Sequence, residues 1–213
     1  MYKLYYYPGN ANLAPHMLLE ELGVPYDLVL VDREQNAHKQ ADYLKLNPTG
    51  RIPVLIDGDL VLYETAAICL HLVDRHAEAG LAPAVGTAER AEFYKWLVYL
   101  TNTLQAELLT YFYPERLADD ATAIAQVKAH AEERVGGMLD LLDKAVAASG
   151  GSFLLGDRYS AVDPYLLMLS RWTRMMHDPA RNRPHLGPYL RRLLERPAIQ
   201  RAFMQEGLAE PLI

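Results

Sequence analysis

The stretch YKLYYYPGNANLAPHMLLEELGVPYDLVLV, residues 2–31, decides the fold. Its ends, KLYYY and YDLVLV, are short, rich in aromatic and aliphatic residues, and bounded by Pro8-Gly9 and by charge, which is the pattern of strands. Between them NLAPHMLLEELG predicts a helix. Pro15 suits its first turn, Met17, Leu18 and Leu22 recur at helical spacing, and Gly23 suits its C-terminal cap. A strand–helix–strand unit implies parallel strands joined by a right-handed crossover. The first junction carries Tyr6, Asn10 and Asn12 but neither Cys nor Ser, which limits the chemistry it can perform alone.

Outward from this unit, a second helix is expected over Ala37–Leu46, because Asn47-Pro48-Thr49-Gly50 is a strong stop and turn signal. IPVLIDGDLVLYE then places two apolar runs around Asp57-Gly58, the signature of a tight antiparallel hairpin. ETAAICLHLVDRH supplies another helix. These elements make an α/β domain over residues 1–77. Residues 78–87, small and containing Gly and Pro, read as a linker. Residues 88–213 show only helical patterns, two of them long. Gly136-Gly137 permits a bend in the second long helix, and Pro197 breaks the last.

Composition narrows the function classes. Of 213 residues, 51% are apolar and 23% charged, an ordinary globular balance. A net charge of −6 argues against binding nucleic acid. Eight arginines between Arg171 and Arg201 read as a solvated face beside intramolecular acids. Cys69 is the only cysteine, so neither a disulfide within the chain nor a cysteine-based metal cluster is expected, and no metal is. Its apolar helical surroundings predict a buried, structural thiol. MYKLYYYP has no signal-peptide pattern, and no run approaches the roughly 18 apolar residues that span a bilayer. No membrane partner and a cytoplasmic residence are therefore expected. Ser160 with Asp163 three residues on, ahead of an apolar run, reads as a capping-box-type helix start.

Two further places bear on binding. Pro53 follows Ile52 at a strand entrance; it is either an ordinary strand-entry proline or a cis-proline that turns the Ile52 backbone outward to pair with an extended peptide. Glu64 and Thr65 stand where the hairpin ends and a helix begins. They either cap that helix or border an anion site built on its free N–H groups.

Three segments together resemble the cytosolic glutathione S-transferases. NPTGRIPVL and LYETAAICLHL are similar to that family's Asn-Pro-x-Gly-x-(Val/Ile)-Pro-x-Leu and Glu-Ser-x-Ala-Ile elements. GDRYSAVDPYLLML is similar to its Gly-Asp-x-x-Ser-x-Ala-Asp segment. LYYYPGNANLAPHMLLEELGVPYDL resembles the start of bacterial beta-class members. The resemblance spans nearly the whole chain. It implies a thioredoxin-like N-terminal domain, an all-α C-terminal domain, a homodimer, and a site that takes glutathione as co-substrate. It further implies that Ile52-Pro53 pairs with the glutathione backbone, that Thr65 replaces the usual Ser in holding the γ-glutamyl carboxylate, and that Glu64 pairs with its ammonium. His38 or Arg51, with Lys39 as an alternative, would hold the glycine carboxylate.

The beta-class cysteine falls at Ala11, so a protein-thiol mechanism is excluded there. Conjugation instead needs glutathione's own thiol as thiolate. A free thiol of pKa about 8.5 is only a few per cent ionised at neutral pH. Lowering it by roughly 2 units takes about 2.7 kcal/mol. One hydrogen bond to the charged sulfur contributes about 1.5–3 kcal/mol, and a helix N-terminus about 0.3–1 kcal/mol. One donor at this junction therefore suffices. Asn12 is the first candidate, Asn10 the second and the Tyr6 phenol the third, and each also has a structural reading as cap, turn residue or core aromatic. His16, one turn inside the helix, reads as structural. The activity implied is conjugation of glutathione to a small, apolar electrophile, with a glutathione-dependent lyase or a noncatalytic carrier as alternatives. Tyr99, Thr103, Gln105, Tyr111, Phe112 and Tyr113 either line the acceptor pocket or, as an aromatic stripe at helical spacing, belong to the core; Gln105 falls where beta-class members resemble one another in having histidine.

Overall fold

A computed structural model describes all 213 residues. It divides into two compact units, Met1–Ala82 with Leu194–Ala209, and Pro83–Leu193 with Glu210–Ile213. The break at residue 82 falls within the linker expected from composition. The return of Leu194–Ala209 to the first unit is announced by no sequence signal and separates that segment from the helical domain to which the pattern assigns it.

The first unit opens with β1 (Tyr2–Tyr6), α1 (Leu13–Leu22) and β2 (Tyr26–Leu30). β1 and β2 pair in parallel from Tyr2 opposite Tyr26 to Tyr6 opposite Leu30, as the crossover requires. Gly23, at φ +64°, ends α1 in the left-handed conformation and donates to the Leu19 carbonyl. The expected second helix is divided: a short 3₁₀ turn covers Ala37–Lys39, Gln40 is extended, and α2 runs Ala41–Leu46. β3 (Val54–Asp57) and β4 (Leu60–Tyr63) form the hairpin. Asp57 pairs with Leu60, so the turn residues are Gly58-Asp59, one position later than the expected centre. The strand order is β2-β1-β3-β4, with β1 antiparallel to β3, and α3 (Thr65–Arg75) follows. This four-stranded mixed sheet with its helices is a thioredoxin-like fold.

Alternation along the strands sorts their side chains. Leu4 is fully buried, while Tyr5 and Tyr7 pack against a cluster of Val31, Tyr43, Ile52 and Val54. Tyr6 lies between them in sequence and so falls on the other face. Cys69 is fully buried in α3, and burial pushes its thiol far up, away from reactivity.

The second unit is helical: α4 (Ala88–Tyr99), α5 (Ala106–Phe112), α6 (Ala121–Ala148), α7 (Val162–Trp172) and α8 (Leu186–Leu194). Between α4 and α5 the chain winds as a π-helix over Leu100–Gln105, so the three segments are continuous. Helix α6 runs unbroken through Gly136-Gly137. Pro197 separates α8 from α9 (Pro197–Gln205), and α9 belongs to the first unit. No helix is long and apolar enough to cross a membrane.

The arginines between 171 and 201 are more than a solvated face. Arg196 makes a two-pronged pair with Glu21, and Arg201 with Glu20. Arg183, largely buried, holds Asp140 and Asp178. Arg171 donates to the carbonyls of Pro211 and Leu212.

Asp163 heads α7 with no exposure. Its carboxylate accepts from the Leu154 and Ser160 N–H groups, the Tyr189 hydroxyl at 2.6 Å and the Ser160 hydroxyl. The bond from the Ser160 N–H is the return half of a capping box. Burial raises the Asp163 carboxyl against the pull of these donors. Asp163→Ala leaves the donors buried and unpaired, so a loss of about 3 kcal/mol or more is expected. Urea unfolding followed by circular dichroism measures it; an unchanged midpoint contradicts this account.

Candidate functional site

The β1–α1 junction is built around a carboxylate from the far end of the chain. Glu206, at the end of α9, is 4% exposed. Its Oε2 accepts from the Gly9 N–H at 2.8 Å. Its Oε1 accepts from Asn12 Nδ2 at 2.8 Å and faces His16 Nδ1 at 2.7 Å. His16 is fully buried, and its Nε2 lies 3.0 Å from the Tyr26 hydroxyl and 2.9 Å from Gln205 Oε1. The Tyr26 hydroxyl in turn donates to Glu20. A carboxylate taken out of water must find donors, and here the loop backbone, an amide and an imidazole provide them.

This hub determines what the three candidate donors can do. Asn12 has no exposed surface. Its amide is spanned on both sides, Oδ1 accepting from the Tyr7 N–H at 3.1 Å and Nδ2 donating to Glu206. No solvent-sized group reaches it. Asn10 is half-buried, its backbone fixed by bonds to Tyr7 and Leu13. Its Oδ1 accepts from Arg33 Nη1 at 3.3 Å, which leaves its NH₂ as the donor end of the amide. Tyr6 is half-buried at the end of β1. Gly9, at φ +68°, gives the loop the turn that delivers its N–H to Glu206.

The second part of the site surrounds Pro53. The Ile52–Pro53 peptide is cis, and both residues are buried. The Arg51 carbonyl just before it accepts from the Tyr43 hydroxyl and from Asn47 Nδ2, each at 2.7 Å. Asn47 Oδ1 accepts from the N–H and hydroxyl of Thr49. The Asn-Pro-Thr-Gly run therefore shapes the loop that carries Arg51, whose side chain is exposed. Gly50 lies at φ +63°, and a Cβ there would stand 3.2 Å from the His38 carbonyl oxygen. His38 and Arg51 are thus on adjoining loops. Burial, then the Arg33 and Lys39 charges, lower the His38 pKa, so its ring is neutral at neutral pH. Its Nδ1 is buried and unpaired.

The third part is the start of α3. Glu64 is exposed at φ +74°, unusual for a side chain of this kind, and precedes the free N–H groups of the helix. Thr65 is 5% exposed, and its hydroxyl donates to the Ala11 carbonyl at 3.2 Å. That bond ties the start of α3 to the β1–α1 loop. The first unit therefore carries Asn10 and Asn12 on the β1–α1 loop that Thr65 ties to the start of α3 beside Glu64, and His38, Arg51, Ile52 and Pro53 on a second pair of adjoining loops, with Val54 after Pro53 paired to Tyr5 of β1.

In the second unit, Tyr99, Thr103, Gln105, Tyr111 and Tyr113 are half-buried and Phe112 is exposed. Thr103 and Gln105 lie in the π-helical segment, and Tyr165 donates to Gln105 Oε1 at 2.5 Å. Lys128 stands over the Tyr111 ring, Arg116 over Tyr113, and Phe112 meets Trp172 edge-on. Arg33 and Glu206 escaped the sequence reading. Arg33 sits in a charged loop without periodicity, and Glu206 is 194 residues from the Asn12 it binds.

Comparison with known proteins gives the family. Residues 1–74 match the glutathione S-transferase N-terminal domain and residues 93–206 the C-terminal domain. The glutathione S-transferase GstA of Escherichia coli O157:H7 is 29% identical over 208 residues, covering 97% of this chain and 99% of that protein. A glutathione transferase structure from Methylococcus capsulatus is 34% identical with a TM-score of 0.84, covering 98% of this chain and all of that one. A sphingomonad glutathione S-transferase solved in complex with glutathione is 33% identical with a TM-score of 0.83, covering 97% and 100%.

Glu206→Ala would leave the Gly9 N–H, the Asn12 amide and the His16 ring without their shared partner. The expected loss is about 3–5 kcal/mol, the range for removing one side of a buried charged contact. Urea unfolding reads it, and amide exchange at Gly9 should accelerate together with it. Unaltered stability and exchange would show that the hub contributes nothing.

Proposed function

The chain belongs to the glutathione S-transferase family, and we propose that it conjugates glutathione to a small, apolar electrophile. The observation that carries this reading is the clustering of Asn10, Ile52-Pro53, Glu64 and the α3 N-terminus within one unit. Glu64 pairs with the γ-glutamyl ammonium. The free N–H groups of α3 take the neighbouring carboxylate, while the Thr65 hydroxyl stays on Ala11. The Ile52 backbone pairs with the peptide. Arg51, beside His38, takes the glycine carboxylate. A neutral His38 serves there as a hydrogen-bonding group rather than a charge.

The donor to sulfur is Asn10. Asn12 is the loop's anchor, because an amide without exposed surface and bonded at both ends cannot reach a ligand. Asn10 presents an NH₂ that stabilises a thiolate but cannot take its proton. The thiol proton therefore leaves to solvent on binding. The thiolate then attacks the electrophilic carbon, a carbon–sulfur bond forms, and a leaving group departs with its bonding pair. The protein acts as a cytoplasmic homodimer in detoxification.

Glutathione binding with a thiolate ultraviolet signal at neutral pH is expected, and no binding would end this reading. Asn10→Ala should lower kcat/KM about tenfold or more, whereas Asn12→Ala should chiefly reduce stability. Full thiolate signal in Asn10→Ala would pass the donor role to Tyr6.

His38 offers a pH test. Its folded-state pKa is depressed, so the unfolded chain takes the proton first, and stability should decline as pH falls below about 6.5 towards the folded midpoint. Proton NMR should place the ring's midpoint below about 6.5 in free protein, and saturating glutathione should raise it if the glycine carboxylate lies beside it. No movement with glutathione leaves that carboxylate to Arg51 alone.

A further inference from the structure

We infer that Arg33 is a positioning residue for thiolate formation, acting through the side chain of Asn10. This rests on the proposed reading of Asn10 as donor to the glutathione sulfur. Three observations carry it. Arg33 Nη1 lies 3.3 Å from Asn10 Oδ1. Arg33 is also stacked over the Tyr7 ring, its guanidinium carbon 5.8 Å from the centroid. Tyr7 is itself tied to the same loop, its N–H bonded to Asn12 and its carbonyl to the Asn10 N–H. The guanidinium is therefore held against the junction by contact with a residue of that junction.

An amide has two ends of opposite polarity, and an unrestrained asparagine can present either. With its oxygen towards sulfur it would repel a thiolate; with its NH₂ towards sulfur it stabilises one. A guanidinium has only donors, so it binds the amide oxygen and never the NH₂. Arg33 thereby selects the rotamer in which Asn10 donates. It also polarises the amide, since a hydrogen bond accepted at oxygen strengthens the bond donated from nitrogen. Lys39, the other cation of this loop, is exposed and lies on the far side of the 3₁₀ turn's start at Ala37.

The test is the pH titration of the bound glutathione's thiolate absorbance, with steady-state kinetics, in wild type, Arg33→Gln, Arg33→Lys, Asn10→Ala and the double variant Arg33→Gln/Asn10→Ala. Arg33→Gln should raise the bound thiol's pKa by about one unit and lower kcat about threefold at neutral pH, with the KM for glutathione changing less than about twofold. Arg33→Lys, which keeps a donor and a charge, should recover part of the loss. The double variant should be no worse than Asn10→Ala, because Arg33 has nothing left to orient. An unshifted thiol pKa in Arg33→Gln, or a loss that adds in full to that of Asn10→Ala, overturns the assignment; the additive result would mean that Arg33 touches glutathione directly. A wild type that binds no glutathione overturns the functional reading and this assignment with it. Wild-type binding with an indifferent Arg33→Gln overturns this assignment alone.

Discussion

The buried carboxylate of Glu206 is the constraint on which the site depends. A charged group removed from water is costly unless donors surround it, and the only donors available to Glu206 come from the β1–α1 junction: the Gly9 N–H, the Asn12 amide and the His16 ring. Satisfying the carboxylate therefore sets the path of the loop, the start of α1 and the seat of α9 together. Asn12 is spent on this contact, whereas its neighbour Asn10, two positions before it, is half-buried and bonded to Arg33 instead.

The same physical device recurs in the helical unit. Asp163, fully buried, gathers N–H and hydroxyl donors from Leu154, Ser160 and Tyr189 and so joins the loop before α7 to α8. In the first unit, the Arg51 carbonyl plays a smaller version of this part, held by Tyr43 and Asn47 ahead of the cis-proline. Each lock uses one acceptor to gather separate segments, 190 or more positions apart at Glu206 and within 8 at Arg51. The binding loops can then lack regular structure and still hold a defined geometry.

The chemistry follows from what the junction lacks. With Ala11 at the position of the beta-class cysteine and the sole thiol buried in α3, nucleophilic sulfur has to arrive with the co-substrate. The protein then has to supply direction and charge stabilisation, tasks that the proposed reading gives to one amide donor, a helix N-terminus and a cation beside the amide. None of these groups is a strong base, and none is needed once the thiol's pKa is lowered towards neutral pH.

Local pattern alone determined the strand–helix–strand start, the hairpin, the change to an all-helical second part and the break at Pro197, because hydrophobic period and turn residues act over a few positions. The cis-proline at Pro53 and the helix start at Glu64-Thr65 were legible for the same reason: each belongs to a short segment. The hairpin turn missed by one residue and the 3₁₀ break at Gln40 lie within the ordinary slack of such signals. Tertiary structure alone decided that α9 returns to the first unit, that Asn12 is buried and bonded at both ends of its amide, and that half-buried Asn10 has Arg33 beside it. These depend on Glu206 meeting Asn12 across 194 positions. The energy of a buried carboxylate is settled by whichever donors surround it in space, and no local pattern records which ones those are.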